Sequence, residues 1–152
     1  MKIVSNILNK PKAECPRCLG KGNVDWNDIK RLKKELSWLP GKCAYCDGQG
    51  KVKSNQINKV AVDTSYLTMD LSLKERELII DNNFEATEKG KMREREREVF
   101  IEEVKYLNSI GKLNPEQIFD FYLIKYEGFD ISEEWKIDFL NYIKKIITHN
   151  KV

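Results

Sequence analysis

Histidine is almost absent from this chain: the only one among 152 residues is His149, near the end. A catalytic zinc of the H-E-x-x-H kind is therefore excluded, because no imidazole stands near any other metal-ligating residue. Long apolar runs are missing too. Nothing approaches the roughly 20 residues that a membrane span needs. Met1 to Lys10 lacks the long apolar core and cleavage site of a signal peptide, so a cytoplasmic, reducing location is expected. No G-x-x-x-x-G-K-[ST] phosphate loop occurs, and no G-x-G-x-x-G follows a strand. Adjacent carboxylates such as Glu102-Glu103 and Glu133-Glu134 point in different directions on a helix and make no acid/base pair. The expectation is a protein that is not an enzyme. Cysteine is scarce as well, but its four copies are not scattered.

All four cysteines fall in two copies of one motif. The first is Cys15-Pro16-Arg17-Cys18-Leu19-Gly20-Lys21-Gly22 and the second Cys43-Ala44-Tyr45-Cys46-Asp47-Gly48-Gln49-Gly50. Each reads C-x-x-C-x-G-x-G. A C-x-x-C turn brings two sulfurs within about 4 Å, which is half of a tetrahedral site, and two halves close one four-thiolate zinc site. Gly20, Gly22, Gly48 and Gly50 allow the backbone to fold back until its N–H groups reach the sulfurs. Zinc is the usual occupant of such a site, although iron takes the same geometry. Four thiolates around one zinc are normally inert, which argues against a thiol-disulfide enzyme.

The doubled motif resembles the cysteine-rich zinc domain of DnaJ-type chaperones and is similar to the small anti-TRAP proteins. The resemblance covers about residues 13–52. It implies one zinc ion held by Cys15, Cys18, Cys43 and Cys46, with the four glycines shaping two knuckles, in a module that serves protein contact. The chain departs from J-proteins in having no His-Pro-Asp triplet.

The formal charge of +3 conceals an asymmetry. Residues 1–60 hold thirteen Lys/Arg and five Asp/Glu; residues 61–152 hold fourteen and nineteen. A basic segment can simply solubilise a small module, or it can face nucleic acid. Between the knuckles, Trp26, Ile29, Leu32, Leu36 and Leu39 recur at helical spacing, with Asp25 or Asn27 as the cap and Pro40-Gly41 as the stop. The spacing predicts an amphipathic helix whose other face carries Lys30, Arg31, Lys33 and Lys34. Trp26, Ile29 and Leu36 are then candidates for a protein partner or a second copy of the chain, and the four cations are candidates for nucleic acid.

Residues 1–12 contain Ile3, Val4, Ile7 and Leu8 and suggest a short strand or docking arm. Lys51-Val52-Lys53 suggests a strand, as do Val60 and Val62. From Leu71 onward the periodicity is helical. Ser72 to Glu75 matches a capping box ahead of Leu78, Ile79 and Ile80. A second helix should begin between Glu85 and Lys91 and reach about Ser109, with Val99, Phe100, Val104, Leu107 and Ile110 inward. Asn114-Pro115 starts a third, apolar nearly all round and therefore expected at the centre, and Ser132 starts a fourth.

The expected fold is mainly α with a small β-knuckle zinc module: a DnaJ-like single-zinc module followed by a bundle of about four helices. The expected divisions are 1–55 for the zinc module with its helical insert, 56–69 for a connector, and 70–152 for the bundle. The expected function is a zinc-stabilised protein-interaction protein, a chaperone-like adaptor or regulator. The alternatives are a nucleic-acid-binding regulator using the basic face, or a structural, self-associating subunit of a larger assembly.

Overall fold

A computed structural model describes residues 11–150. The chain is mainly α-helical with two small two-stranded sheets, as the periodicities predict. The suggested arm at residues 1–10 lies outside the described residues.

In chain order, β1 (Lys12–Glu14) enters the first knuckle and β2 (Asn23–Val24) leaves it. Helix α1 (Trp26–Arg31) follows, then β3 (Gly41–Lys42), the second knuckle and β4 (Lys51–Lys53). Each entry strand pairs with the exit strand of the other knuckle: β1 with β4, β2 with β3, both antiparallel. The knuckles therefore cross. Next come α2 (Gln56–Lys59), α3 (Leu73–Ile80), the long α4 (Phe84–Ser109), α5 (Pro115–Leu123), a 3-10 turn at Ile124–Tyr126, and α6 (Glu133–Asn150). Several ends follow the expected capping chemistry. Ser72 Oγ accepts from Glu75 N–H at 3.2 Å, Asn114 and Gln117 form a reciprocal capping box, and Trp135 N–H donates to Ser132 Oγ. The described part of the chain has no helix long and apolar enough to cross a membrane.

Two expectations change. The inter-knuckle helix is one short piece rather than a stripe reaching Leu39. Asp25 caps it, in a box with Asp28. Lys33 then adopts φ +59°, and Lys34 N–H donates back to Ile29 C=O at 2.9 Å. That left-handed closure ends the helix before Leu36 and Leu39 can join its face. Val60 and Val62 form no strand. Residues 60–68 are irregular, and this stretch is no free connector.

The chain separates into two compact units, 1–94 and 95–152, so the division falls inside α4. The first unit extends well past the expected limit of 55. Its core joins Cys15, Cys18, Val24, Cys43, Tyr45 and Val52 with Val60, Leu67 and Ile79. The expected connector and the first expected bundle helix thus pack on the cysteine module. The cause is size: two knuckles alone bury too little apolar surface to be stable. Gly90 on α4 contributes by its smallness, since a Cβ there would lie 2.2 Å from the Tyr66 ring.

The second unit buries Val104, Ile118, Tyr122, Ile143, Ile146 and Ile147. Phe100 bridges them, 5.0 Å from Tyr122 and 5.8 Å from Phe139 between ring centroids. Tyr122 donates its hydroxyl to Glu103. Burial, and then that bond, push its pKa well above the usual phenol value. Val99 and Ile110, expected inside, are exposed.

Candidate metal centre

The two knuckles are related by a displacement of 28 residues that reaches most backbone features of the site. Leu19 and Asp47 hold φ +55° and +51°; Gly20 and Gly48 hold +84° and +76°; Gly22 and Gly50 hold +84° and +78°. Gly22 N–H donates to Cys18 Sγ and Gly50 N–H to Cys46 Sγ, both at 3.2 Å. Cys15 N–H donates to Gly50 C=O at 2.9 Å, and Cys43 N–H to Gly22 C=O at 3.0 Å. The close crossing explains the last glycine of each motif. A Cβ on Gly22 would lie 2.6 Å from Gly48 O, and one on Gly50 would lie 2.5 Å from Gly20 O. No side chain fits there.

This crossing brings four sulfurs together. All lie within 4.8 Å of one another, with Cys15 Sγ 3.8 Å from Cys43 Sγ and Cys18 Sγ 3.7 Å from Cys46 Sγ. A metal bound at about 2.3 Å by four thiolates needs tetrahedron edges of about 3.8 Å. The donor set and spacing therefore fit one soft divalent cation. Cys15, Cys18 and Cys43 are fully buried and Cys46 nearly so, leaving no open coordination position. Among the described residues no other His, Cys, Asp or Glu grouping meets the same geometric requirement.

Without a cation the thiols cannot all ionise. The hydrogen bond shared with Cys43 draws the Cys15 thiol down to about 5. The same bond, with burial, pushes Cys43 far up, and burial raises Cys46. Cys43 and Cys46 are thus protonated at neutral pH until a metal arrives, and binding must displace both protons. Loading metal-free protein at pH 7 in weakly buffered solution is expected to release at least two protons per ion, read by pH-stat titration. Release of fewer than one would contradict this charge arrangement.

No family model matches the chain, and neither a curated protein nor a solved structure matches it.

Around the sulfurs lies a shell that the spacing of the cysteines did not reveal. Arg17, inside the first C-x-x-C, is only 2% exposed. Its guanidinium donates to Val62 O at 2.9 Å, Leu67 O at 2.7 Å and Thr64 O at 3.1 Å. It also lies 4.2 Å from the centre of the Trp38 ring. Burial lowers its pKa to about 10, so it stays charged, and the Cys43 and Cys15 sulfurs act against that lowering. Tyr45 occupies the equivalent position in the second knuckle and donates to Val60 O at 2.8 Å. Trp38 Nε1–H adds a bond to Ser65 O at 3.0 Å. Both knuckles thus grip the irregular 60–67 segment by its carbonyls. The one sequence signal for this pair was positional: residues 17 and 45 are 28 apart.

The expected partner-binding face disperses. Ile29 is fully buried and cannot meet a partner or a second copy. Arg31 donates to Arg17 O at 2.8 Å, and Lys34 donates to Ser65 Oγ, so two of the four cations serve the fold. Lys30 and Lys33 are exposed, Leu36 is half-buried, and Trp26 is half exposed.

Proposed function

We propose that this chain is a non-enzymatic protein-interaction protein in which one zinc ion, held as in DnaJ-type cysteine-rich modules, is purely structural. Zinc is the preferred ion because four soft thiolates in a sealed tetrahedron suit a metal with no redox role. The sealing of the sulfurs supports the structural assignment, since no substrate or water can reach the metal.

One observation carries the interaction reading. Helix α5 turns Ile118 and Tyr122 inward and Glu116, Gln117 and Asp120 outward, but Phe121 and the apolar residues of the turn after it are left uncovered. Ile118 and Tyr122 are buried, whereas Ile124 and Phe129 are each 70% exposed and Phe121, Tyr126 and Trp135 are about two-fifths exposed. The exposed rings are ordered among themselves: Tyr126 lies 5.4 Å from Trp135 and 6.4 Å from Phe129. Contiguous aromatic surface of this kind is typical of protein contacts. Glu127, Asp130, Glu133 and Glu134 flank these residues in the chain against Lys125, which lies over the Phe121 ring, and Lys136, which pairs with Glu133; the balance is acidic, so the complementary partner segment is basic as well as apolar.

The test is cross-linking in nuclease-treated native extract, comparing the wild type with Ile124→Asp/Phe129→Asp. One protein partner should be captured by the wild type and lost in the double variant, at unchanged helical content. Capture that is unaffected by the double substitution, or that vanishes with nuclease alone, would overturn the proposal.

A further inference from the structure

The first unit carries a second surface feature, which the interaction reading does not use. Strand alternation in β4 turns Val52 inward, where it is 4% exposed, and leaves Lys51 and Lys53 outward. Register then places Lys12 of β1 directly opposite Lys53. Like charges in a directly opposed pair destabilise a sheet. The one carboxylate of this sheet, Glu14, stands opposite Lys51 rather than between Lys12 and Lys53, and its side chain lies beside Gly20. Among the described residues, Lys12, Lys51, Lys53 and Lys59 make no ion pair, and the sequence has no acidic residue before Glu14.

These four lysines edge a cleft of about 440 Å³ between the sheet, α2 and α3. Arg76 also lines the cleft. It is buried, bonded to Leu71 O at 2.7 Å and Asp47 Oδ1 at 2.9 Å, and its Nε–H has no acceptor. Asp47 is thereby neutralised. Glu77 and Asp81 line the cleft from α3, which confines an anion to the lysine wall. Lys51 and Lys53 lie about 7 Å apart along the strand. With Lys12 across from Lys53, the three lysines spread over an open sheet face rather than closing a cage, and an open face suits a succession of phosphates better than one isolated phosphate.

We propose that the lysine wall formed by Lys12, Lys51 and Lys53 is a binding site for the phosphodiester backbone of a nucleic-acid strand. The cleft has no exposed aromatic ring for base stacking, so recognition is by charge and independent of sequence. This site is distinct from the α1 face, where two of the four cations are committed to the fold.

Fluorescence anisotropy with labelled oligo-dT and oligo-rU, on metal-loaded full-length protein, tests the proposal. Three phosphate contacts to a single strand predict a log–log salt slope of about −2. Lys12→Gln/Lys53→Gln should weaken binding tenfold or more and reduce the slope to about −0.7. The same variant should melt at or above the wild-type temperature, because the opposed like charges are gone; that separates lost binding from lost folding. Lys30→Gln/Lys33→Gln should leave affinity within twofold. The proposal is overturned by salt-independent binding or none at low salt, by equal losses in both variants, by displacement with inorganic phosphate at constant ionic strength, or by polyglutamate binding equally well.

Discussion

Chelating the metal, or substituting Cys43→Ser, is expected to unfold residues 11–94 while the helices of the second unit persist. Four of the eleven buried residues in the first unit's core are the cysteines themselves, so a bound metal would sit where other domains place aliphatic side chains. Structural zinc contributes about 10–16 kcal/mol of binding free energy at neutral pH, as much as or more than the about 5–15 kcal/mol that separates most folded domains from their unfolded state. Loss of the metal also leaves four buried thiols that cannot all ionise, and the two short sheets that join the knuckles hold only five residue pairs. The Trp38 near-ultraviolet signal and the amide protection of residues 43–52 should both disappear on chelation. The α5 and α6 amides should stay protected, because Val104, Ile118, Ile143 and Ile146 form a core that contains no cysteine. A first unit that keeps its melting temperature after complete metal removal would show the site to be incidental.

Much of this arrangement was legible in the residues. The doubled motif announced the metal ligands, and the glycines announced the tight returns that structure explains by the Gly22–Gly48 and Gly50–Gly20 crossings. Caps at Asp25, Ser72, Asn114 and Ser132 marked helix starts because capping is local chemistry, carried by residues three positions apart. What failed was anything decided by tertiary contact. Apolar spacing from Trp26 to Leu39 predicted one long helix, but Lys33 turns left-handed and Trp38 turns inward toward Ser65. Residues 60–67 read as part of a connector with a short strand at Val60 and Val62, and nothing in them shows that Arg17 and Tyr45 will bind their carbonyls. Helix α5, rich in apolar residues, was expected at the centre of a bundle. Its uncovered side became visible only once the neighbours were in place, and that unmet expectation is what points to a partner.

Replacing Arg17 should have the largest effect of any single substitution outside the cysteines, and two variants separate its two roles. Arg17→Met removes a buried cation that donates to three carbonyls and lies beside the thiolates. Of the three bonds only the one to the Leu67 carbonyl is fully buried; stranding that acceptor costs about 1–3 kcal/mol and losing a buried charge partner about 3–5 kcal/mol, so a total of about 4 kcal/mol or more is expected. Four thiolates and one divalent cation leave a net charge of −2 in a buried site, and Arg17 is a buried cation that interacts electrostatically with Cys43 and Cys15. Metal affinity should therefore fall at least tenfold in Arg17→Met, measured by competition with a chromogenic chelator. Arg17→Lys restores the charge without the fork. A lysine ammonium cannot reach Val62, Thr64 and Leu67 carbonyls together, nor stack its plane on Trp38. That variant should keep most of the metal affinity but still lose several degrees of thermal stability, with faster amide exchange confined to residues 60–67. Equal metal affinity in Arg17→Met and the wild type would remove the electrostatic role, and an unchanged melting temperature in Arg17→Lys would remove the positional one.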